Sequence, residues 1–121
     1  MEGRTSEVNL PPTNYSLTIV SPVSYGIKVA EEFGYINDSS TFGVAEGVTF
    51  YRPGYSMIIV TVNENASPGL IAHEALHVLH RLYEAIGQQT DPANDELDAY
   101  ILEYIVDSIN NHLCKKDSYK E

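Results

Sequence analysis

The stretch Ile71-Ala72-His73-Glu74-Ala75-Leu76-His77-Val78-Leu79-His80-Arg81 decides how the rest of the chain is read. Within it, His73-Glu74-Ala75-Leu76-His77 has the pattern H-E-x-x-H. On a helix, residues four apart share a face, so His73 and His77 project together. Two neutral imidazoles so placed can hold a divalent metal. Glu74 follows the first and can reach a water on that metal. The flanks support a helix. Ser67-Pro68 supplies a cap followed by proline at the first helical position, and Gly87 supplies the stop. Ala72, Leu76, Leu79, Tyr83 and Ile86 recur as an apolar stripe flanked by Ala75 and Leu82, which predicts a helix lying in the core.

Working outward, Met57 to Val62 is apolar almost throughout and is the strongest strand in the chain. Glu46 to Tyr51 is a second strand, and Arg52-Pro53-Gly54 is a turn signal between them, so the two form an antiparallel hairpin. Tyr15 to Val20 alternates and is rich in β-formers, which predicts a first strand. Ser21-Pro22 reads as a cap and a first-turn proline. Val23, Ile27, Ala30 and Phe33 then give a short helix ending at Gly34, with Gly26 an unfavourable residue inside it. Residues 36–43 read as a loop, and Asn63 to Ala66 as a linker. Beyond Gln88 to Ala93, Asn94 or Asp95 caps a last helix to about Leu113, whose apolar side is Leu97, Tyr100, Ile101, Tyr104, Ile105 and Ile109. Residues 1–13 form a flexible lead-in, 14–114 one domain and 115–121 a charged tail. The expected fold class is α+β, with a three-stranded, mainly antiparallel sheet packed with the H-E-x-x-H helix and a C-terminal helix.

The 121 residues carry a net charge of −10, with 43% hydrophobic residues. That is enough chain for one core without disulfide staples, and the single cysteine, Cys114, forms no internal disulfide. The charge argues against nucleic acid as a partner and for cations or basic protein surfaces. Between Glu64 and Asp107 nine acids face one base, Arg81, so the negative field surrounds the histidine motif. The N-terminus lacks the apolar segment of a signal peptide, and no apolar run approaches the ~20 residues of a membrane span. A soluble, cytoplasmic protein is expected, or one of the host cytoplasm if virus-encoded.

A catalytic zinc usually takes three protein ligands and keeps one open position. The last helix offers the third. Glu96 lies near its start, and an antiparallel return would bring it over the histidine pair. Asp95 and Asp98 are rivals, and Glu103 could support a ligand histidine from behind. His80 shares the face of His77 roughly and reads as an exposed or packed histidine.

His73-Glu74-Ala75-Leu76-His77 with a downstream Glu96 on the next helix resembles the gluzincin arrangement of zincin metallopeptidases. The stretch Asn94-Asp95-Glu96-Leu97-Asp98-Ala99-Tyr100 also looks like small phage-encoded H-E-x-x-H proteins of similar length. The resemblance implies a zincin-like domain that binds Zn2+ through His73, His77 and Glu96, with Glu74 as general base. It implies that Met57 to Val62 is the edge strand pairing with a peptide or protein substrate. There are two departures. Larger gluzincins often place Asp where Tyr100 stands, and no long segment after the last helix supplies a second catalytic half. Oxyanion donors would then come from Tyr100, Tyr104, Tyr51 or Tyr55. The expected function is a minimal zinc-dependent metallopeptidase. The competing expectation is a non-enzymatic zinc-binding phage accessory protein whose acidic surface binds a protein partner. An acidic decoy for a nucleic-acid site, which predicts no metal requirement, ranks third because the H-E-x-x-H spacing is localised and of catalytic type.

Overall fold

In the computed structural model, which describes residues 3–37 and 46–118, the apolar run Met57–Val62 is the centre of a sheet. This strand, β5, pairs in parallel with β2 (Ser16–Ser21) on one side and antiparallel with β4 (Gly47–Tyr51) on the other. Its composition follows from that position. A strand covered on both faces needs apolar residues at successive positions rather than at alternate ones. Beyond β2 lies β1 (Arg4–Asn9), antiparallel to it, and beyond β4 lies the two-residue β3 (Ile36–Asn37). The order is β1-β2-β5-β4-β3. The class is α+β as expected, but the sheet is mixed and larger than three strands.

The lead-in therefore contains a strand. β1 reads Arg-Thr-Ser-Glu-Val-Asn; of its inward positions Arg4 and Ser6 are polar and only Val8 is apolar, too little alternation to betray a strand. Leu10, directly after it, is fully buried.

Helices cover both faces. Helix α1 (Val23–Glu32) packs on one side over Val20, Val48, Phe50 and Ile59. Its start differs from the expectation. Pro22 is the N-cap, and the acceptor for the Val23 N–H is Asn63 Oδ1 at 2.9 Å, from the linker after β5. Ser21 is turned inward instead. Gly26 is required where it stands, because α1 approaches β5 so closely that a Cβ there would overlap Thr61.

The opposite face carries α2 (Pro68–Ile86) and α3 (Glu96–Ser118). They enclose the larger core with Leu17, Ile19, Ile58, Val60 and Val62 of the sheet. Helix α2 begins as the sequence indicates. Ser67 Oγ accepts from Leu70 N–H at 3.1 Å, Pro68 follows, and Gly87 ends the helix at φ 75°. Such a cap contributes about 1 kcal/mol. Ile71, Ala75, Val78 and Leu82 are buried. Each of the larger of these contributes roughly 1.5–3 kcal/mol on burial, so packing rather than capping holds α2 down. Helix α3 runs further than Leu113, to Ser118. Among the described residues no helix is long and apolar enough to cross a membrane.

Candidate metal and catalytic site

Because Ile71, Ala75, Val78 and Leu82 face the sheet, the periodicity of α2 turns His73, His77, His80 and Glu84 outward. His73 is exposed and His77 half-buried, and their rings meet edge to face with centroids 4.9 Å apart. Two of the sequence-indicated ligands are thus together. His80, one turn on, is exposed and borders with His77 and Gln88 an open groove of about 680 Å³.

Glu74, between the two histidines in sequence, is turned inward. It is 4% exposed and lies against β4. Gly47, Thr49 and Tyr51 all face α2, as alternate residues of one strand must. Thr49 Oγ1 donates to Glu74 Oε1 at 2.8 Å. A Cβ at Gly47 would sit 2.9 Å from Glu74 Cγ and 3.1 Å from Oε2. Two residues further along β4, the Arg81 guanidinium stacks on the Tyr51 ring at 3.9 Å and bonds Glu84 at 2.6 Å.

The strand beside the motif is therefore β4, not Met57–Val62. Having partners on both sides, β5 has no edge with which to pair a substrate. On the outer side of β4 the pairing is Ile36 with Tyr51 and Asn37 with Phe50, so among the described residues Gly47 to Thr49 have no strand beyond them.

Glu96 is exposed at the first position of α3, which begins beside the far end of α2. The Tyr83 hydroxyl donates to Asp98 Oδ1 at 2.6 Å, and Asp98 Oδ2 accepts from Asp91 N–H at 3.1 Å. Asp98 is thereby committed to the turn between the helices. Tyr83 lies six residues beyond His77 and ten beyond His73, about 9 and 15 Å along the axis at 1.5 Å per residue. Glu96 is not brought to the pair. Among the described residues no group of three or more His, Cys, Asp or Glu is close enough to hold a metal ion. Asp95 and Glu103 are exposed, as are Tyr100 and Tyr104 on α3. Tyr55 packs edge to face with Tyr35 and under Arg52. Burial, and then the bond to Asp98, pushes the Tyr83 hydroxyl up to about 12.

A residue with no signal in the sequence is His112. It is 1% exposed, with Ser6 Oγ 2.7 Å from Nδ1 and Ser21 Oγ 2.9 Å from Nε2. Ser21 Oγ also donates to Glu64 Oε2 at 3.0 Å, and Arg4 bonds both Glu64 and the His112 carbonyl. A hydroxyl has one proton. Because Ser21 spends it on Glu64, Ser21 accepts from His112 Nε2–H. This buried network ties β1, β2, the linker and α3 together. Its members come from segments read as lead-in, cap, loop and helix end.

Comparison with known proteins gives no match: no family model, no curated protein and no solved structure matches the chain.

Proposed function

We propose that the chain is a minimal zincin-like, zinc-dependent metallopeptidase that acts on an extended peptide or protein segment. One observation supports this above the others: the H-E-x-x-H helix holds His73 and His77 side by side on its outward face, while the adjoining Glu74 is fixed against β4 by Thr49. An extended chain added along Gly47 to Thr49 would run past Glu74, with main-chain hydrogen bonds supplying affinity. Glu74 would take a proton from the attacking water and return it to the leaving amine. His73 and His77 would hold the metal. Zinc, when bound, supplies Lewis acidity toward the carbonyl and lowers the pKa of water.

The donor set fits in part. His73 and His77, with ring centroids 4.9 Å apart, supply two imidazoles, whereas a catalytic zinc takes three protein ligands. Glu96, the third ligand of this proposal, has to close a gap of about 9 Å or more along α2. Either the first turn of α3 repositions, or a binding partner completes the site.

A second reading is a non-enzymatic zinc-binding protein that uses its acidic surface to hold a partner. The burial of Glu74 and its bond to Thr49 favour it, since a carboxylate that only fastens α2 to β4 looks the same. Zinc titration by calorimetry, beside digestion of a peptide mixture followed by mass spectrometry, separates the two. The peptidase reading expects one zinc per chain, lost in His73→Ala, and cleavage abolished in Glu74→Gln with zinc retained. Zinc binding without cleavage leaves the second reading. No zinc bound removes both.

A further inference from the structure

We propose that Thr49 is the positioning residue for Glu74, and that Gly47 is its necessary companion. This rests on the metallopeptidase reading for its meaning, but its geometry stands alone. Thr49 is 2% exposed in the middle of β4, and its hydroxyl is aimed into the sheet–helix interface at Glu74 Oε1. A glutamate side chain has three rotatable bonds, and holding it in one conformer costs rotamer entropy. The hydrogen bond from Thr49 offsets that cost. The same hydroxyl lies 3.4 Å from the Glu74 carbonyl, so Thr49 reaches both the side chain and the backbone of one residue.

Gly47 does the complementary work by exclusion. It shares the α2-facing side of β4 with Thr49, and any side chain there would start 2.9 Å from Glu74 Cγ. The carboxylate thus lies over a bare stretch of strand and is tethered two residues further on. Gly47-Val48-Thr49 is a cradle built into the strand that the proposal assigns to substrate. The strand that would hold the peptide also sets where the base points.

The test compares Thr49→Val, which keeps the side-chain shape and removes the donor, with Thr49→Ser, which keeps the donor, and with Gly47→Ala. Crystal structures of the wild type and each variant read the Glu74 conformer directly. Zinc-supplemented cleavage of peptides found in the mixture digest reads kcat and KM separately. Thr49→Val is expected to release Glu74 into another conformer and to lower kcat by about 10- to 100-fold at unchanged KM, the loss that a displacement of about 1 Å brings. Thr49→Ser is expected to restore both the conformer and most of the rate. Gly47→Ala, with Thr49 intact, is expected to displace the carboxylate and lower kcat likewise, and it carries the test if Thr49→Val does not fold. If Glu74 keeps its conformer in Thr49→Val, or if Thr49→Ser is no better than Thr49→Val, the positioning role is overturned. If the wild type with zinc cleaves nothing, the metallopeptidase reading fails, and the Glu74 conformers still decide the role of Thr49.

Discussion

Replacing Gly26 by alanine sets two effects of opposite sign against each other. Helix propensity alone favours the change by about 1 kcal/mol, since glycine is the poorest ordinary residue in a helix interior. The structure reverses that sign. Gly26 is buried on the face of α1 that lies on β5, and an added Cβ would overlap both Oγ1 and Cβ of Thr61 and lie 3.1 Å from Cγ2. An overlap with Oγ1 alone could be relieved by a rotamer change. Overlap with Cβ cannot, because that atom moves only with the backbone of the central strand, which is paired on both sides. Helix α1 must then lift away from Val20, Val48, Phe50 and Ile59. Overpacking of this kind costs roughly 1–3 kcal/mol, and more when backbone is displaced. Taking about 3–4 kcal/mol and subtracting the propensity gain leaves a net loss of about 2–3 kcal/mol. For a domain of this size that lowers Tm by about 6–15 °C. Urea denaturation of Gly26→Ala, alone and combined with changes at Thr61, measures it. Thr61→Ala removes Oγ1 and Cγ2 but keeps Cβ, so it should not rescue. Thr61→Gly should show a favourable coupling to Gly26→Ala in a double-mutant cycle. A Gly26→Ala protein as stable as the wild type, or more so, would mean that α1 does not approach β5 as closely as described.

Other expectations follow from single contacts. Tyr83 has its pKa raised to about 12 by burial and by Asp98. A raised folded-state value means stability fully present below the ordinary pKa near 10 and lost as pH climbs through about 12. Tyr83→Phe should flatten that alkaline loss in denaturation curves taken between pH 9 and 12 (roughly the span of the two pKa values), and an unchanged slope would contradict it. His112→Ala leaves Ser6 and Ser21 without their imidazole partner and opens a cavity, for an expected loss of about 2–4 kcal/mol. Hydrogen exchange should show the second half of α3 opening first, and uniform loosening would speak against a local tie. Asn63→Ala removes the acceptor of the Val23 N–H and should cost about 1 kcal/mol without affecting zinc binding, as calorimetry and melting together would show.

What could be read from the sequence divides along physical lines. Helix α2 was legible to within a residue, because cap, first-turn proline, apolar stripe and terminal glycine are all local and all agree. The β4–β5 hairpin was legible for the same reason. Pairing between distant strands leaves no local mark. Nothing in Tyr15 to Val20 says that it lies parallel to Met57 to Val62, so the continuous apolar run of β5 was read as the flank of the site rather than as the sheet's centre. The polar inner face of β1 is satisfied by Glu64 and His112, partners 60 and 108 residues away in the case of Arg4, and its strand character was invisible without them. Ser21 followed by proline carried a cap signal, yet its hydroxyl is used by His112 and Glu64. At the site itself the spacing of H-E-x-x-H suffices to place His73 and His77 side by side. It says nothing about the direction of Glu74, which depends on Gly47 and Thr49. Nor does it fix the register of α3 on α2, which the Tyr83–Asp98 bond sets and which leaves Glu96 at the far end.

The bond network at His112 also bears on the order in which the molecule can assemble. Parallel pairing of β2 with β5 has to close a loop of some forty residues, and closure of long loops slows folding more than it lowers stability. The polar face of β1 waits longer still. During synthesis the carbonyl and ring that satisfy Arg4 and Ser6 arrive more than a hundred residues after them. At some 5–20 residues per second that is a delay of roughly 5–20 s. Through that interval the inner polar groups of β1 lack the partners that α3 brings. Strand β1 is thus made long before it can be locked, and a chain lacking α3 would hold the histidine motif on a sheet whose β1 edge is missing its ties to His112.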